Sequence, residues 1–222
     1  MSGGFPIDLI LFAMVAAFLV LRLRSVLGKR QGFERPPATP GVPEARSARV
    51  EAVTDDVAPQ IRTDGARRTL PASTTAAGQN LSRIAAADPS FEPNAFLDGA
   101  EGAFRMIVAA FADGDRQTLR NLLSDDTYAG FEQAVTAREN AGETQRTEIR
   151  AMQELAIEGA ALNGNMAEVT VRFVSDQVNI TTRNQEIVAG ADAVTEVIDI
   201  WTFQRDLSQK DPTWKLTATR SA

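Results

Sequence analysis

The clearest structural pattern in the sequence lies in residues 96–135, FLDGAEGAFRMIVAAFADGDRQTLRNLLSDDTYAGFEQAV. Its first part places apolar side chains at the three- and four-residue spacing of one helix face. These side chains are Phe96, Ala100, Ala103, Phe104, Ile107, Val108 and Phe111. The pattern stops at residues 113–115, because Gly114 suits the left-handed position after a helix and Asp115 suits an N-cap. An apolar stripe on one face is unfavourable in water, so this helix is expected to pack against a second layer.

Two shorter helices are predicted in the rest of this stretch. Ser124 can cap the second of them through its hydroxyl group. Their inner faces consist of Leu119, Leu122 and Leu123 in the first and of Tyr128, Phe131 and Val135 in the second. A further helical pattern at residues 78–90 is too short to be stable alone. It is expected to pack on the same domain, and an amphipathic contact with a membrane or a partner is the alternative.

After residue 144 the apolar pattern changes to a period of two, which is the spacing of strands. Val169 and Val171 alternate with polar neighbours, and Asn163-Gly164 is a two-residue hairpin signal. The predicted order after that is a long loop with Gly190 at residues 183–192, a central strand at 194–205, a turn at 211–212 and a last strand at 214–219. Helices followed by an antiparallel meander predict an α+β domain, with the helices packed on one face of a curved sheet.

An apolar stretch at the start of the sequence predicts a membrane anchor. Residues 9–21 carry no charge, and residues 5–23 would span roughly 28 Å as a helix, close to the hydrocarbon core of a bilayer. The anchor side chains are Leu9, Leu11, Phe12, Phe18 and Leu21. A cleaved signal peptide is disfavoured, because the start has no Lys or Arg and no small-residue cleavage site follows. A buried core helix is disfavoured by the long polar segment after it.

Basic residues flank this anchor on one side only. The uncharged residues 9–21 are followed by Arg22, Arg24, Lys29 and Arg30, and the one charged residue before them is the acid Asp8. The positive-inside rule then places the short N-terminus outside and the rest of the chain in the cytoplasm. The sequence therefore predicts a single-pass protein of the cytoplasmic (inner) membrane, with the lipid bilayer as one partner and a cytoplasmic C-terminal domain.

Composition divides the chain into three parts. Residues 1–30 form the anchor with its basic flank, residues 31–76 a Pro-rich disordered linker, and residues 77–222 the α+β domain. The domain holds thirteen Lys and Arg against twenty-two Asp and Glu, a net charge of −9, which argues against nucleic acid as a partner. Residues 88–222 are expected to fold alone, because both apolar patterns lie within them.

No catalytic residues, metal site or cofactor are predicted. The 222 residues include no Cys and no His, so the commonest general base and the thiol and imidazole metal ligands are missing. Asp199 lies in an otherwise apolar strand. It is either a pocket acid with a raised pKa, a partner for a neighbouring Arg, or a residue of an exposed edge. Gly99 and Gly102 each cost the first helix about 1 kcal/mol relative to Ala and are expected to allow close helix packing.

Two short words near the C-terminus carry a family resemblance. They are WTFQRDL at residues 201–207 and DPTWKL at residues 211–216, and both follow the helical stretch 96–135. Together they resemble the Tim-forty-four family, the scaffold proteins of the mitochondrial protein-import motor and their bacterial relatives. The order of anchor, Pro-rich linker and domain is similar to the bacterial TimA-type branch, the membrane-anchored adaptors of alphaproteobacteria. The resemblance is best over residues 88–222.

This resemblance implies a fold and a set of pocket residues. The family's domain is a cone-shaped α+β domain related to nuclear transport factor two, with an apolar pocket between helices and sheet. The candidates for lining that pocket here are Phe104, Ile107, Phe111, Trp201 and Phe203. The family has no catalytic residue set, so the resemblance also implies a protein that is not an enzyme.

The resemblance implies a role in protein translocation or membrane-protein biogenesis, as a bacterial membrane-tethered adaptor or scaffold. Its expected partners are membrane or translocation-associated proteins. A heat-shock-seventy chaperone is among them for the mitochondrial members, which recruit it mainly through the region before the domain. Residues 31–76 depart from that region, because they are short and Pro-rich. Two alternatives remain open: a secretion-system scaffold with a periplasmic domain, and a module that binds a lipid or small apolar ligand in the pocket.

Overall fold

The computed structural model describes residues 65–221. Its helices are α1 (Ala76–Ala87), α2 (Pro93–Asp113), α3 (Arg116–Leu122) and α4 (Asp125–Asn140). Its strands are β1 (Arg67–Thr69), β2 (Glu143–Asn163), β3 (Met166–Arg183), β4 (Glu186–Asp206) and β5 (Lys215–Ser221). The predicted anchor and residues 31–64 of the predicted linker lie outside the described residues. No helix within residues 65–221 combines the length and the apolar composition needed to cross a membrane.

The helices begin and end where side chains can satisfy the free backbone groups. Gly114 takes a φ of 73° after α2, which is the left-handed conformation that glycine adopts at low cost. The Asp115 carboxylate accepts from the amides of Gln117 and Thr118 and so caps α3. The Ser124 hydroxyl accepts from the Thr127 amide and caps α4. The break and both caps predicted from the sequence are confirmed.

The strands form one open sheet in the order β1-β2-β3-β4-β5. Strands β2 to β5 are an antiparallel meander, and the four helices pack on the sheet, so the predicted α+β class is confirmed. The prediction of a purely antiparallel sheet is wrong for β1, which pairs parallel to β2. That strand has only three exposed residues, so it shows no apolar alternation. It lies in the range assigned to the linker and pairs Arg68 with Asp98 of α2.

The connection between β3 and β4 differs from the expected long loop. Arg183 pairs directly with Glu186, so Asn184 and Gln185 form a two-residue turn, with φ values of 52° and 70°. Such a turn suits the twist of a hairpin, but without glycine its sequence signal is weak. Gly190 lies inside β4, where an added Cβ would come 2.0 Å from the carbonyl oxygen of the opposite strand.

The predicted hairpin at Asn163-Gly164 is confirmed with a one-residue shift. Asn163 pairs with Met166, so the two turn residues are Gly164 and Asn165, and Gly164 has a φ of 61°. A glycine at the first central position of a two-residue turn is typical of hairpins.

The core lies between the helices and the face of β2, β3 and β4 that they cover. Helix α1 contributes Leu81 and Ile84, which are buried in that core, as expected from the pattern at residues 78–90. The largest fully buried side chains of the core are Phe104 of α2, Phe173 of β3 and Phe203 of β4. The Phe104 and Phe173 rings stack at 4.6 Å, so the core joins the longest described helix to the centre of the sheet.

Candidate functional site: an aromatic groove beside helix α2

A groove of about 390 Å³ opens beside the N-terminal half of α2. We call it the aromatic groove. It is lined by Ser90, Phe91, Glu92, Ala95, Phe96, Gly99, Ala100, Ala103, Met106, Leu122, Phe203, Arg205, Pro212, Thr213 and Trp214. Most of these side chains are apolar, and Met106 at the rim is 50% exposed. Apolar surface of this kind gains free energy when a partner covers it.

Four aromatic rings form one wall of the aromatic groove. The Trp214 ring lies 4.9 Å from Phe96 and 5.7 Å from Phe91, measured between ring centroids. Phe96 contacts Phe203 in turn at 6.0 Å, nearly edge to face. Tilted and edge-to-face pairs at such distances stabilise one another beyond simple burial, so this wall is pre-formed.

An ion pair holds the segments that carry this wall. The guanidinium of Arg205 donates to the carboxylate of Asp88 at 2.7 Å and to the carbonyl oxygen of Asp211 at 3.3 Å. The Arg205 and Asp88 side chains are only 13% and 14% exposed, so water screens the pair weakly. Arg205 thus joins the end of α1, the end of β4 and the loop before β5.

Hydrogen bonds fix the charge state of Asp88. The hydroxyl of Ser90 donates to its carboxylate at 2.6 Å, and Arg205 adds a charged donor on the other oxygen. These contacts, the Ser90 hydroxyl first, lower the pKa of Asp88 below its ordinary value, although burial opposes them. The carboxylate is therefore ionised over the whole neutral range.

The floor of the aromatic groove is the surface of α2 itself. Glu92 caps this helix, because its carboxylate accepts from the Ala95 amide at 2.7 Å. An added Cβ at Gly99 or at Gly102 would meet no atom within 4 Å. The expectation that these glycines allow close helix packing is therefore wrong within residues 65–221. At Gly99, which lines the aromatic groove, the missing side chain widens the groove instead.

The sequence-derived pocket residues are not all brought together. Phe203 lines the aromatic groove. Phe104, Ile107 and Trp201 are buried in the core, where Phe104 lies 4.6 Å from the Trp201 ring. Phe111 packs on Phe131 near the other end of α2 and lies under the guanidinium of Arg138.

Several residues that line the aromatic groove were not predicted from the sequence as pocket residues. Phe91 precedes the quoted helical stretch, and Met106 and Leu122 resemble ordinary apolar positions of their helices. The sequence feature that could have indicated the groove is Trp214 in the word DPTWKL. A tryptophan directly after a Pro-containing turn is poorly placed for the middle of a core. No apolar period could show that the loop before β5 folds against the start of α2.

Asp199 lies elsewhere, on β4 opposite Phe173. It is buried and has an interaction partner. Within residues 65–221 no group of three or more His, Cys, Asp or Glu is placed to hold a metal ion.

The comparison with protein families agrees with the resemblance of the two sequence words. The sequence pattern of the Tim44-like domain matches residues 77–221. The chain belongs to the Tim44-like domain family. This is the Tim-forty-four family that the sequence resembles, and the match covers the whole of α2, α3, α4 and the meander.

No curated protein matches the chain. Two solved structures are similar to it at low sequence identity. The intermembrane-space region of the chloroplast protein ARC6 is 13% identical, covers 56% of this chain and 94% of that chain, and has a TM-score of 0.42. TsrD from Streptomyces laurentii is 14% identical, covers 55% of this chain and 87% of that chain, and has a TM-score of 0.26.

In this Tim44-like domain both sequence words lead to the aromatic groove. Phe203 of the first word belongs to the aromatic wall, and Arg205 supplies the ion pair behind it. Trp214 of the second word belongs to the same wall, and Pro212 and Thr213 line the groove beside it. Residues of both words therefore line the same groove.

Proposed function

We propose that this Tim44-like protein is a non-enzymatic, membrane-tethered adaptor in protein translocation or membrane-protein biogenesis. Membership of the Tim44-like family supports this role. The observation that carries the proposal is the aromatic groove, where both family words converge on an apolar surface open to solvent. An adaptor needs such a surface, because an exposed apolar patch with a pre-formed wall is a typical docking site for a protein.

The proposal includes a location. The apolar stretch at residues 5–23 anchors the chain in the bacterial inner membrane, and the four basic residues after it keep the domain in the cytoplasm. Residues 31–64 would then allow the aromatic groove to reach partners near the membrane surface. The partners are membrane or translocation-associated proteins, and a chaperone is one candidate among them.

A matched pair of glycine variants tests the docking role. Gly99 lines the aromatic groove and Gly102 does not, and a Cβ at either position meets no atom within 4 Å. Gly99→Leu should fill the groove, whereas Gly102→Leu should leave it open, and both should keep the fold. A photo-crosslinking amino acid at Met106 would report which membrane proteins contact the groove in native membranes.

We expect Gly99→Leu to lose most crosslinks to translocation-associated proteins and Gly102→Leu to keep them. Thermal unfolding of both variants is the control for intact structure. Equal crosslinking by both variants would show that the aromatic groove is not the docking surface, and the adaptor proposal would lose its main support.

A second candidate function uses the same surface. The four aromatic rings and the apolar floor of the groove also suit a lipid acyl chain or a small apolar ligand. Native mass spectrometry of the full chain, released from native membranes, would show a bound lipid that disappears in Gly99→Leu. Bound lipid without protein crosslinks would favour this candidate over the adaptor.

A further inference from the structure

Among the strands of residues 65–221, none pairs with the outer edge of β4 over thirteen residues. Strand β5 pairs with β4 from Asp199 to Gln204. Within the described part of the chain, residues 186–198 therefore have a partner strand only on the β3 side. We call residues 186–198 the free edge. Every second backbone amide and carbonyl along it points away from the sheet, so it can accept another strand.

The free edge exposes apolar side chains that an ordinary solvent-facing strand lacks. Ile187, Val188 and Val194 are 55%, 46% and 59% exposed. They are three of the five large hydrophobic residues exposed within residues 65–221, so such surface is concentrated here. β-Branched residues of this kind favour extended strands, both in this chain and in a partner that pairs with it.

The charge of the free edge is acidic. It contains Glu186, Asp192 and Glu196 and no Lys or Arg. Asp192 is paired with Arg146 at 2.9 Å, but Glu196 lies directly opposite Asp176 on β3. Two carboxylates on opposite positions of neighbouring strands repel each other, so a cation placed beside them would relieve that repulsion.

Charge disfavours a second copy as the natural occupant. Two free edges pairing with each other would place acidic strands side by side, and neither free edge contains a Lys or Arg to pair with the acids of the other. Residues 192–194 bulge, since Gln177 pairs with Thr195 whereas Asn179 pairs with Ala191. This bulge interrupts the pairing of any added strand, so the like charge is what separates a second copy from a basic peptide.

We propose that the free edge binds an extended peptide in which β-branched residues alternate with Lys or Arg. The peptide adds a sixth strand next to β4, its backbone pairs with the open amides and carbonyls, and its basic side chains lie beside Glu196 and Glu186. This surface shares no residue with the aromatic groove. It stands whether or not the groove docks a partner, because strand addition depends only on the free edge.

Fluorescence anisotropy with synthetic peptides tests the proposal on the full chain in detergent micelles. The probe is a labelled twelve-residue peptide of alternating Val and Lys. One comparison peptide alternates Val and Glu, and another keeps the Lys residues but carries two central prolines, which remove backbone donors. We expect the Val/Lys peptide to bind at least tenfold more tightly than either comparison peptide. Equal binding of the proline peptide would overturn strand addition.

A matched pair of lysine substitutions locates the site. Val194→Lys introduces a charge at the free edge, and Leu70→Lys introduces the same charge at an exposed apolar residue after β1. We expect Val194→Lys to weaken binding of the Val/Lys peptide at least tenfold and Leu70→Lys to leave it within twofold. Equal weakening by both would mean attraction to the acidic domain as a whole, which contradicts a site at the free edge.

Hydrogen exchange provides a second readout. The amides of residues 186–198 that point away from β3 should exchange quickly in the free chain and slow at least tenfold when the Val/Lys peptide is bound, whereas the amides that pair with β3 should be protected in both samples. Slow exchange without peptide would mean that another segment of the chain or a second copy already covers the free edge, and the proposal would be wrong. Fast exchange in both samples would overturn it as well.

Discussion

At the scale of single residues, Trp201 and Phe203 are both buried, but they pack against different neighbours. Trp201 is buried against Phe104 and Phe173 in the core. Phe203, two positions later on the same face of β4, lines the aromatic groove. Substitution of Trp201 therefore tests the stability of the core, and a conservative substitution of Phe203 tests binding at the groove.

Trp201→Ala should lower the free energy of unfolding by about 3–5 kcal/mol, because it leaves a large cavity in the core. Phe203→Leu should cost only about 1–2 kcal/mol, since the replacement keeps most of the apolar volume. Urea denaturation of both variants measures these values. Phe203→Leu should also reduce crosslinking at the groove, and a variant that unfolds as readily as Trp201→Ala would contradict this separation.

The ion pair between Asp88 and Arg205 gives a pH-dependent prediction. The pKa of Asp88 is lower in the folded state than in the unfolded chain, so its contribution to stability is complete above about pH 4 and is lost as the pH falls through the folded-state pKa. Asp88→Asn should therefore lower the free energy of unfolding by about 1–3 kcal/mol at pH 7. The difference from wild type should shrink in acid. A difference that stayed constant down to pH 2 would rule out the charge as its source.

At the scale of elements, a chain of polar side chains links α4 to the meander. Arg138 of α4 donates to the carbonyl oxygens of Phe111 and Ala112 at the end of α2, and to the side chain of Gln145 on β2. Burial lowers the pKa of Arg138, and the carbonyl oxygens satisfy its donors. The chain of hydrogen bonds continues through Thr147, Asn179, Gln177 and Ser175. These contacts fix the register of β2 and β3 on the side that the helices cover.

The turn between β3 and β4 offers a test at this scale. Gln185 holds a φ of 70°, which costs about 1 kcal/mol for a residue with a Cβ. Gln185→Gly should raise the free energy of unfolding by about that amount. Asn165→Gly in the other hairpin is the control, because Asn165 is not at positive φ and should gain nothing. Chemical denaturation measures the free energy of unfolding of both variants. An equal increase in both would contradict the explanation that the positive φ of Gln185 costs stability.

At the scale of the whole molecule, the folded unit begins earlier than the apolar patterns suggest. Strand β1 pairs with β2 at Arg67 to Thr69, and α1 buries Leu81 and Ile84 in the core. Gly78 packs tightly against the preceding turn, since an added Cβ would lie 2.2 Å from the carbonyl oxygen of Ala72. A fragment of residues 88–222, which was expected to fold alone, would lack all of these contacts.

Residues 65–222 should therefore unfold in a single cooperative transition, whereas residues 88–222 should be less stable by several kcal/mol. The shorter fragment lacks α1, so the apolar surface that Leu81 and Ile84 cover is exposed to water. Asp88 is retained, but it no longer follows a helix. Circular dichroism on heating compares the two. Equal midpoints would show that α1 and β1 contribute little to stability.

The orientation in the membrane is tested on the full chain. The basic residues after the anchor predict that the domain stays in the cytoplasm, so a reporter active only in the periplasm, fused after Ala222, should be silent. A reporter active only in the cytoplasm, at the same position, is the control and should be active. The opposite pattern would favour the secretion-scaffold alternative.

Elements whose stability is local can be read from the amino-acid sequence. Helix α2 (Pro93–Asp113), the glycine after it and the Asp115 and Ser124 caps depend on contacts between residues no more than four positions apart, so their residue types predict them directly. Strand periodicity and the Gly164 hairpin are readable for the same reason. The α+β class follows from their order.

The places where these elements meet depend on contacts between distant parts of the chain. The three residues of β1 are too few to show a period, and they form a strand only because β2 offers an edge. Asp88 and Arg205 are separated by 117 positions, and their pairing places Trp214 against Phe96 to form the aromatic groove. No local pattern encodes such a contact, because its free energy comes from burial and charge pairing that exist only when distant segments are packed together.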